Sequence, residues 1–276
     1  MTANRQKTEK APALPKNENV NVVVKVVAIL DALSTQREAT ATQLAEQLSE
    51  PRSSVYRLLG SMQRMELVDV GSHRGTYRLG LKLLKLGNAV VNQLDLHRIA
   101  APVMEDLRDA FGFTTFLFVR RGREAVCIER LDGLRVTAVT PGLGGSLALH
   151  LGAGPKSILA FSPRSEWTKY AAEGPVETFL ARTPIDFPTL AAQLERCREI
   201  GYSVMDGDME PEIAAVGAPV LDRRGVPIGS VSVSDLRRVI FEAGDALPNR
   251  VLAAGREISR LLGYDGEAPW TRLQTS

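Results

Sequence analysis

The chain has 276 residues, 44% apolar and 24% charged, with a formal net charge of +2. This length favours two modest domains, at roughly 150 residues each, with the ordinary make-up of a globular protein. The near-neutral balance confines any nucleic-acid-binding surface to a local patch. The two cysteines, Cys127 and Cys197, lack CxxC spacing, which argues against a zinc site or disulfide framework and suits a reducing cytoplasm. Residues 1–19 are polar and contain prolines, so they are expected to form a disordered tail. They carry no apolar core like that of a signal peptide, and no run of about 18 apolar residues follows. The expectation is a soluble, cytoplasmic protein.

From Val20 the texture changes. In "VNVVVKVVAILDALS" the positions Val23, Val26, Val27, Leu30 and Leu33 form a helical stripe. In "TATQLAEQL", Thr40 and Gln43 have capping-box spacing, and Leu44 and Leu48 lie one turn apart. Pro51 suits the first turn of a further helix, because its missing N–H is not needed there. That helix would bury Val55, Leu58, Leu59, Met62 and Met65 and expose Arg52, Ser53, Ser54, Tyr56, Arg57, Ser61 and Arg64. A short helix, a tight turn and a helix with an arginine-bearing face make a helix-turn-helix pattern. "LVDV-GSHRG-TYRLG" then reads as a β-hairpin, which makes the motif a winged helix with His73 and Arg74 at the wing tip. Arginines, small hydroxyls and a tyrosine can donate to phosphates and base edges. The candidate DNA-contacting residues are therefore Thr42, Gln43, Arg52, Ser53, Ser54, Tyr56, Arg57, His73 and Arg74.

Residues 81–110 read as a linker helix followed by a second helix from near Ile99. Their apolar content exceeds the needs of one face, as it would for a helix packed on a partner chain, and packing within one chain would look the same. Strands follow at "TTFLFVR" and "EAVCIERL", joined by a turn at Arg121–Arg123, and at "LRVTAVT". Helices are expected near Pro155–Phe161, Pro163–Tyr170, Pro188–Ile200 and Asp245–Leu262. A strand at "GYSVMD" and a hairpin around Asp222–Gly225 lie between the last two. Hairpins dominate, so the sheet should be mainly antiparallel with helices packed on it, an α+β arrangement. The domain boundaries expected are 20–80 for the winged helix, 81–100 for the linker helix, 101–264 for the second domain and 265–276 for a C-terminal tail.

The stretch "GAGPKS" has the glycines and lysine of a phosphate loop, but Pro155 removes an amide from where the cradle needs one. Asp206, Asp208, Glu210 and Glu212 alternate like metal ligands. Pro211 falls where a calcium loop needs glycine, so a solvated loop is the better reading. Ser232, Ser234 and Asp235 lack a serine-nucleophile elbow, and of the three histidines only His150 is left as a base. No metal, cofactor or catalytic residue is assigned, and an enzyme is not expected. The alternating "SVSVS" puts Ser232 and Ser234 on one strand face, lining a cavity or an edge.

"VVAILDAL…ATATQLAEQLSEPRSSVYRLLGSMQRMELV…TYRLG", "LHLGAGPKSILA" and "GYSV…IAAVGAPVLDRRGVPIGSVSVS" together resemble IclR-type transcriptional regulators, in order, over residues 20–262. The resemblance implies a winged helix-turn-helix, a linker helix and a GAF-like α/β effector domain. It also implies dimers or tetramers that bind palindromic operators, more often as repressors, and answer small organic acids or aromatic metabolites. By motif, Gly144 and Gly145 would supply amides to the effector, and Ser232 and Ser234 hydroxyls. The family's aspartate and cysteine positions fall on Met205 and Ala215, which implies a more apolar pocket and a larger or aromatic effector rather than a small hydrophilic acid. Two alternatives are an effector domain that only oligomerises and a small-molecule hydrolase.

Overall fold

A computed structural model describes residues 18–92, 95–135 and 140–266. The expected tails lie almost wholly outside the described residues, and so do residues 136–139 of the strand expected at "LRVTAVT". The chain divides into two compact units, 1–90 and 91–276.

In the first unit, α1 (Glu18–Thr35), α2 (Ala41–Leu48) and α3 (Arg52–Arg64) pack with a small sheet of β1 (Ala39–Thr40), β2 (Val68–Val70) and β3 (Thr76–Leu79). The sheet order is β1-β3-β2, antiparallel throughout. Ile29, Leu33, Leu44, Val55, Leu59, Met62 and Val68 form its core. Each such buried side chain contributes about 1.5–3 kcal/mol relative to exposure. The inward stripe of α1 is Val26, Ile29, Leu30 and Leu33, whereas Val23 and Val27, expected inside, are exposed. Met65 is also exposed, because α3 has ended and it is the C-cap. Pro51 is the N-cap of α3 rather than part of its first turn. β1 is too short to register as a sequence pattern.

Helix α4 (Leu81–Asn92) spans the division between the units, and Leu81, Leu84, Leu86 and Val90 on it are exposed. Next comes α5 (Asp95–Phe111), which begins four residues before the expected Ile99.

In the second unit, β4 (Thr114–Arg121) and β5 (Glu124–Leu131) form the expected hairpin, followed by β6 (Ser146–Ala148), α6 (Ala153–Phe161), α7 (Arg164–Ala172) and α8 (Phe187–Ile200). Then come β7 (Ser203–Asp206), β8 (Ile213–Leu221), β9 (Pro227–Leu236), α9 (Arg237–Glu242) and α10 (Ala246–Leu261). Among the described residues the strands run in the order β6-β5-β4-β9-β8-β7, every pair antiparallel. The β8–β9 turn forms because the Asp222 carboxylate accepts from the amides of Arg224 and Val226. Asp186 caps α8 in the same way, through the amide of Thr189.

All nine residues of β8 are buried, so helices cover both sheet faces. Gly217 faces the start of α6, and a Cβ there would meet the carbonyl carbon of Ala153 at 2.7 Å. The next residue, Ala218, faces Gly255 of α10. Successive strand residues point to opposite faces, so α6 and α10 sandwich the sheet. In this second unit β6 and α9 are the elements that the sequence pattern missed. No helix among the described residues is long and apolar enough to cross a membrane.

Candidate nucleic-acid interface and effector cavity

The N-terminus of α2 carries the full capping box. Thr40 Oγ1 accepts from the Gln43 amide at 3.2 Å, and Gln43 Oε1 accepts from the Thr40 amide at 2.8 Å. Gln43 thus has its side-chain oxygen committed to the helix start. Ser49, at φ 54°, ends α2 in a left-handed turn, and α3 begins three residues later. Arg52, Ser53, Tyr56 and Arg57 are exposed on α3, Ser54 is half-buried, and the first turn contains no acid. The Arg52 guanidinium donates to Thr42 Oγ1, so those two candidates form one cluster across the helix pair. Such a surface donates hydrogen bonds and carries positive charge, as phosphates and purine edges require.

On the wing, β2 and β3 pair antiparallel, and His73 and Arg74 are exposed at the tip beside Gly75 at φ 79°. The tip is held by a residue absent from the candidate set. Glu38 accepts from the Ser72 amide at 2.7 Å, the His73 amide at 3.4 Å and Thr76 Oγ1 at 2.8 Å. Its partners lie 34–38 residues away, so no local pattern could have indicated it.

In the second unit a cavity opens between the sheet and the start of α6. Strand register brings its walls together. Met205 pairs with Ala215, Ala215 with Ser234, and Ser232 with Phe116 in the adjoining row. Phe116 and Phe118 stack at 5.9 Å between ring centroids, and Leu147, Met209, Thr140 and Pro141 complete the apolar lining. Gly152, Ala153, Gly154 and Pro155 close the other side. A Cβ on Gly154 would meet Phe118 at 2.7 Å and Ser232 Oγ at 2.9 Å, so only glycine lets the helix start approach this closely. Amides in the first turn of a helix have no intrahelical acceptor, which leaves those of Ala153 and Gly154 as donors beside the cavity. The hydroxyl of Ser234 donates to the Ala214 carbonyl at 3.0 Å. That of Ser232, on a residue only 3% exposed, borders the cavity.

The effector candidates therefore divide. Met205, Ala215, Ser232 and Ser234 line the cavity, whereas Gly144 and Gly145 do not. The Gly144 amide bonds the Cys127 carbonyl at 2.8 Å and the Gly145 amide bonds the Gly142 carbonyl at 3.0 Å, so neither is left for a ligand. The helix-start amides beside the cavity are those of Ala153 and Gly154, later in the same stretch. Phe116 and Phe118 were legible as one face of a strand, but not as neighbours of Ser232.

A family model described as the bacterial transcriptional regulator IclR C-terminal matches residues 88–260, and one described as the IclR helix-turn-helix domain matches residues 22–70. The chain belongs to the IclR family. Among curated relatives, the HTH-type transcriptional regulator KipR of Bacillus subtilis (strain 168) is 30% identical over 252 residues, which are 90% of this chain and 99% of KipR. The HTH-type transcriptional repressor AllR of Escherichia coli (strain K12) is 27% identical over 209 residues, 75% of this chain and 77% of AllR. The crystal structure of Thermotoga maritima IclR matches at 28% identity with a TM-score of 0.73, covering 89% of this chain and 100% of that one. These matches are transcriptional regulators and not enzymes, and so is this IclR-family chain.

In this IclR-family chain His150, Lys156 and Asp206 have structural partners. His150 Nδ1 lies 2.7 Å from the Tyr170 hydroxyl, and Nε2 lies 2.9 Å from the Glu177 carbonyl and 3.3 Å from the Glu177 amide nitrogen, so both ring nitrogens are engaged within the unit. Burial holds His150 below the ordinary histidine pKa, with Arg123 and Lys156 acting in the same direction. Lys156 is buried and reaches Asp208 at 3.4 Å, and Asp206 forms a two-point pair with Arg237. Burial pushes the Cys127 thiol up to about 12, which makes it inert at neutral pH.

Proposed function

We propose that the protein is a cytoplasmic repressor that binds a palindromic operator as a homodimer or dimer of dimers. An aromatic carboxylate bound in the second unit controls it. The observation that carries the effector reading is the cavity itself. Stacked Phe116 and Phe118 with Met205, Met209 and Ala215 provide an apolar slot, while Ser232 and the amides of Ala153 and Gly154 provide hydrogen-bond donors for a carboxylate. The likeness to AllR, a named repressor, supports repression. The exposed Leu81, Leu84 and Val90 on α4, with Val22, Val23 and Val27 on α1, support self-association.

The cavity measures about 30 Å³, room for a water or two. An aromatic acid enters only if Met205 or Met209 moves aside, which unbranched thioethers do readily. The effector acts on DNA by binding one arrangement of the two winged helices better than another. The test is calorimetry with benzoate and 4-hydroxybenzoate beside glyoxylate and pyruvate. Binding by the aromatic acids alone is expected, and tight binding of the two- and three-carbon acids alone overturns the effector class. The small cavity favours one second reading, in which the unit serves only to oligomerise. Binding of neither acid class would select it.

A further inference from the structure

We infer that Glu38 is a positioning residue for DNA binding, setting the wing at a fixed distance from the recognition helix α3. The inference rests on the proposal that the wing touches DNA. Glu38 lies in the segment leading into β1 and α2, whereas its carboxylate is bonded entirely to the wing. Oε1 accepts from the Ser72 amide at 2.7 Å, and Oε2 from Thr76 Oγ1 at 2.8 Å and the His73 amide at 3.4 Å. His73 Nδ1 also lies 3.3 Å from Oε2. Gly71 leaves space for this arrangement, since a Cβ there would meet Glu38 Oε2 at 2.6 Å and Thr76 Oγ1 at 2.2 Å.

Two effects follow. First, the wing tip is tied to the helix-turn-helix body. Its own turn has the bonds of the Gly71 amide to the Thr76 carbonyl and of the Thr76 amide to the His73 carbonyl, with Thr76 Oγ1 also 2.7 Å from that carbonyl and Ser72 Oγ 3.1 Å from His73 Nδ1. These hold the hairpin together, and the β1–β3 pairs Ala39–Tyr77 and Thr40–Thr76 tie its base to the helix-turn-helix body. The carboxylate adds a second anchor at the tip, so Arg74 is presented at one distance from Arg57 and less ordering entropy is lost on binding. Second, an anion close to the DNA-facing surface is turned inward and saturated with donors. Those bonds, the Ser72 amide first, hold the Glu38 carboxyl well below the usual carboxylate range, so it stays an acceptor.

The probe is a duplex selected by the wild-type protein from a randomised pool. Glu38→Ala is expected to weaken binding about five- to ten-fold at fixed salt and to lower the salt slope by about one. Hydroxyl-radical protection under the wing should be lost while methylation protection under α3 persists. Circular dichroism should show the fold retained with a lower thermal midpoint, and Glu38→Gln, which keeps one acceptor oxygen, should restore part of the affinity. Arg74→Ala tests the wing reading separately. If Arg74→Ala weakens binding and Glu38→Ala leaves affinity, slope and footprint at wild type, the role of Glu38 is overturned alone. If both are silent, the wing reading falls and takes the inference with it. Should Glu38→Ala fail to fold, Thr76→Val decides. It removes one donor and is expected to give the same footprint change at smaller size, and a wild-type footprint overturns the proposal.

Discussion

Arg57 and Tyr56 stand on the exposed side of a helix whose other side, Val55, Leu59 and Met62, is buried in the first unit's core. The buried side fixes which way the arginine points, and the arginine is free to meet a base edge. Arg57→Ala should cost about 1–3 kcal/mol of operator affinity and relax specificity at one base position. Binding titrations at fixed salt on single-base operator variants check this, and unchanged affinity removes Arg57 from the reading set. His150 makes a different prediction. Its folded pKa lies below the unfolded value of about 6.5, so the native state binds fewer protons. Its contribution is complete above that value and is lost as pH falls toward the folded one. Stability of the second unit should therefore decline from neutral pH downward through the histidine range. His150→Gln, still able to bond Tyr170 and Glu177, should flatten that part of the profile in denaturant titrations.

At the scale of elements, α2 and α3 were legible because several signals agree. The capping box at Thr40 and Gln43, the turn before Pro51 and the apolar stripe of α3 all fall where helices begin, end and pack. Thr40→Ala should destabilise the first unit by about 0.5–2 kcal/mol through loss of the cap. Urea unfolding followed by circular dichroism reads this, and no change would mean that Gln43 alone holds the helix start. β1 and β6, with two and three residues, are too short to show alternation, and they exist only because β3 and β5 offer open edges. Val23 and Val27 looked inward by period alone. Ile29 and Leu33 take that role because α1 meets the rest of the unit along its C-terminal half.

At the scale of the molecule, each unit has its own core, so DNA contact and effector contact are built separately. The dimer proposed above would present two recognition helices and would have to match the helical repeat of its operator. Inserting about half a helical turn, ~5 bp, between the half-sites should weaken binding strongly, whereas a full turn should be tolerated better. Gel-shift titration on the spaced duplexes measures this. Equal affinity for all spacings would mean that the two winged helices act independently.

Local chemistry was enough to specify the winged helix-turn-helix, the antiparallel character of the second unit and the loss of a phosphate loop at Pro155. Each depends on residues close together in the chain: a cap three residues from its partner, a stripe at helical period, a proline where an amide is needed. The cavity and the wing anchor depend on residues far apart. Ser232 faces Phe116 across a strand register, the amides at the cavity belong to Ala153 and Gly154 rather than Gly144 and Gly145, and Glu38 reaches Ser72 and Thr76. Register and close approach are set by how whole faces pack, because shifting a strand by one residue turns every side chain to the other face. Such contacts exist only once the sheet, α6 and the wing are assembled.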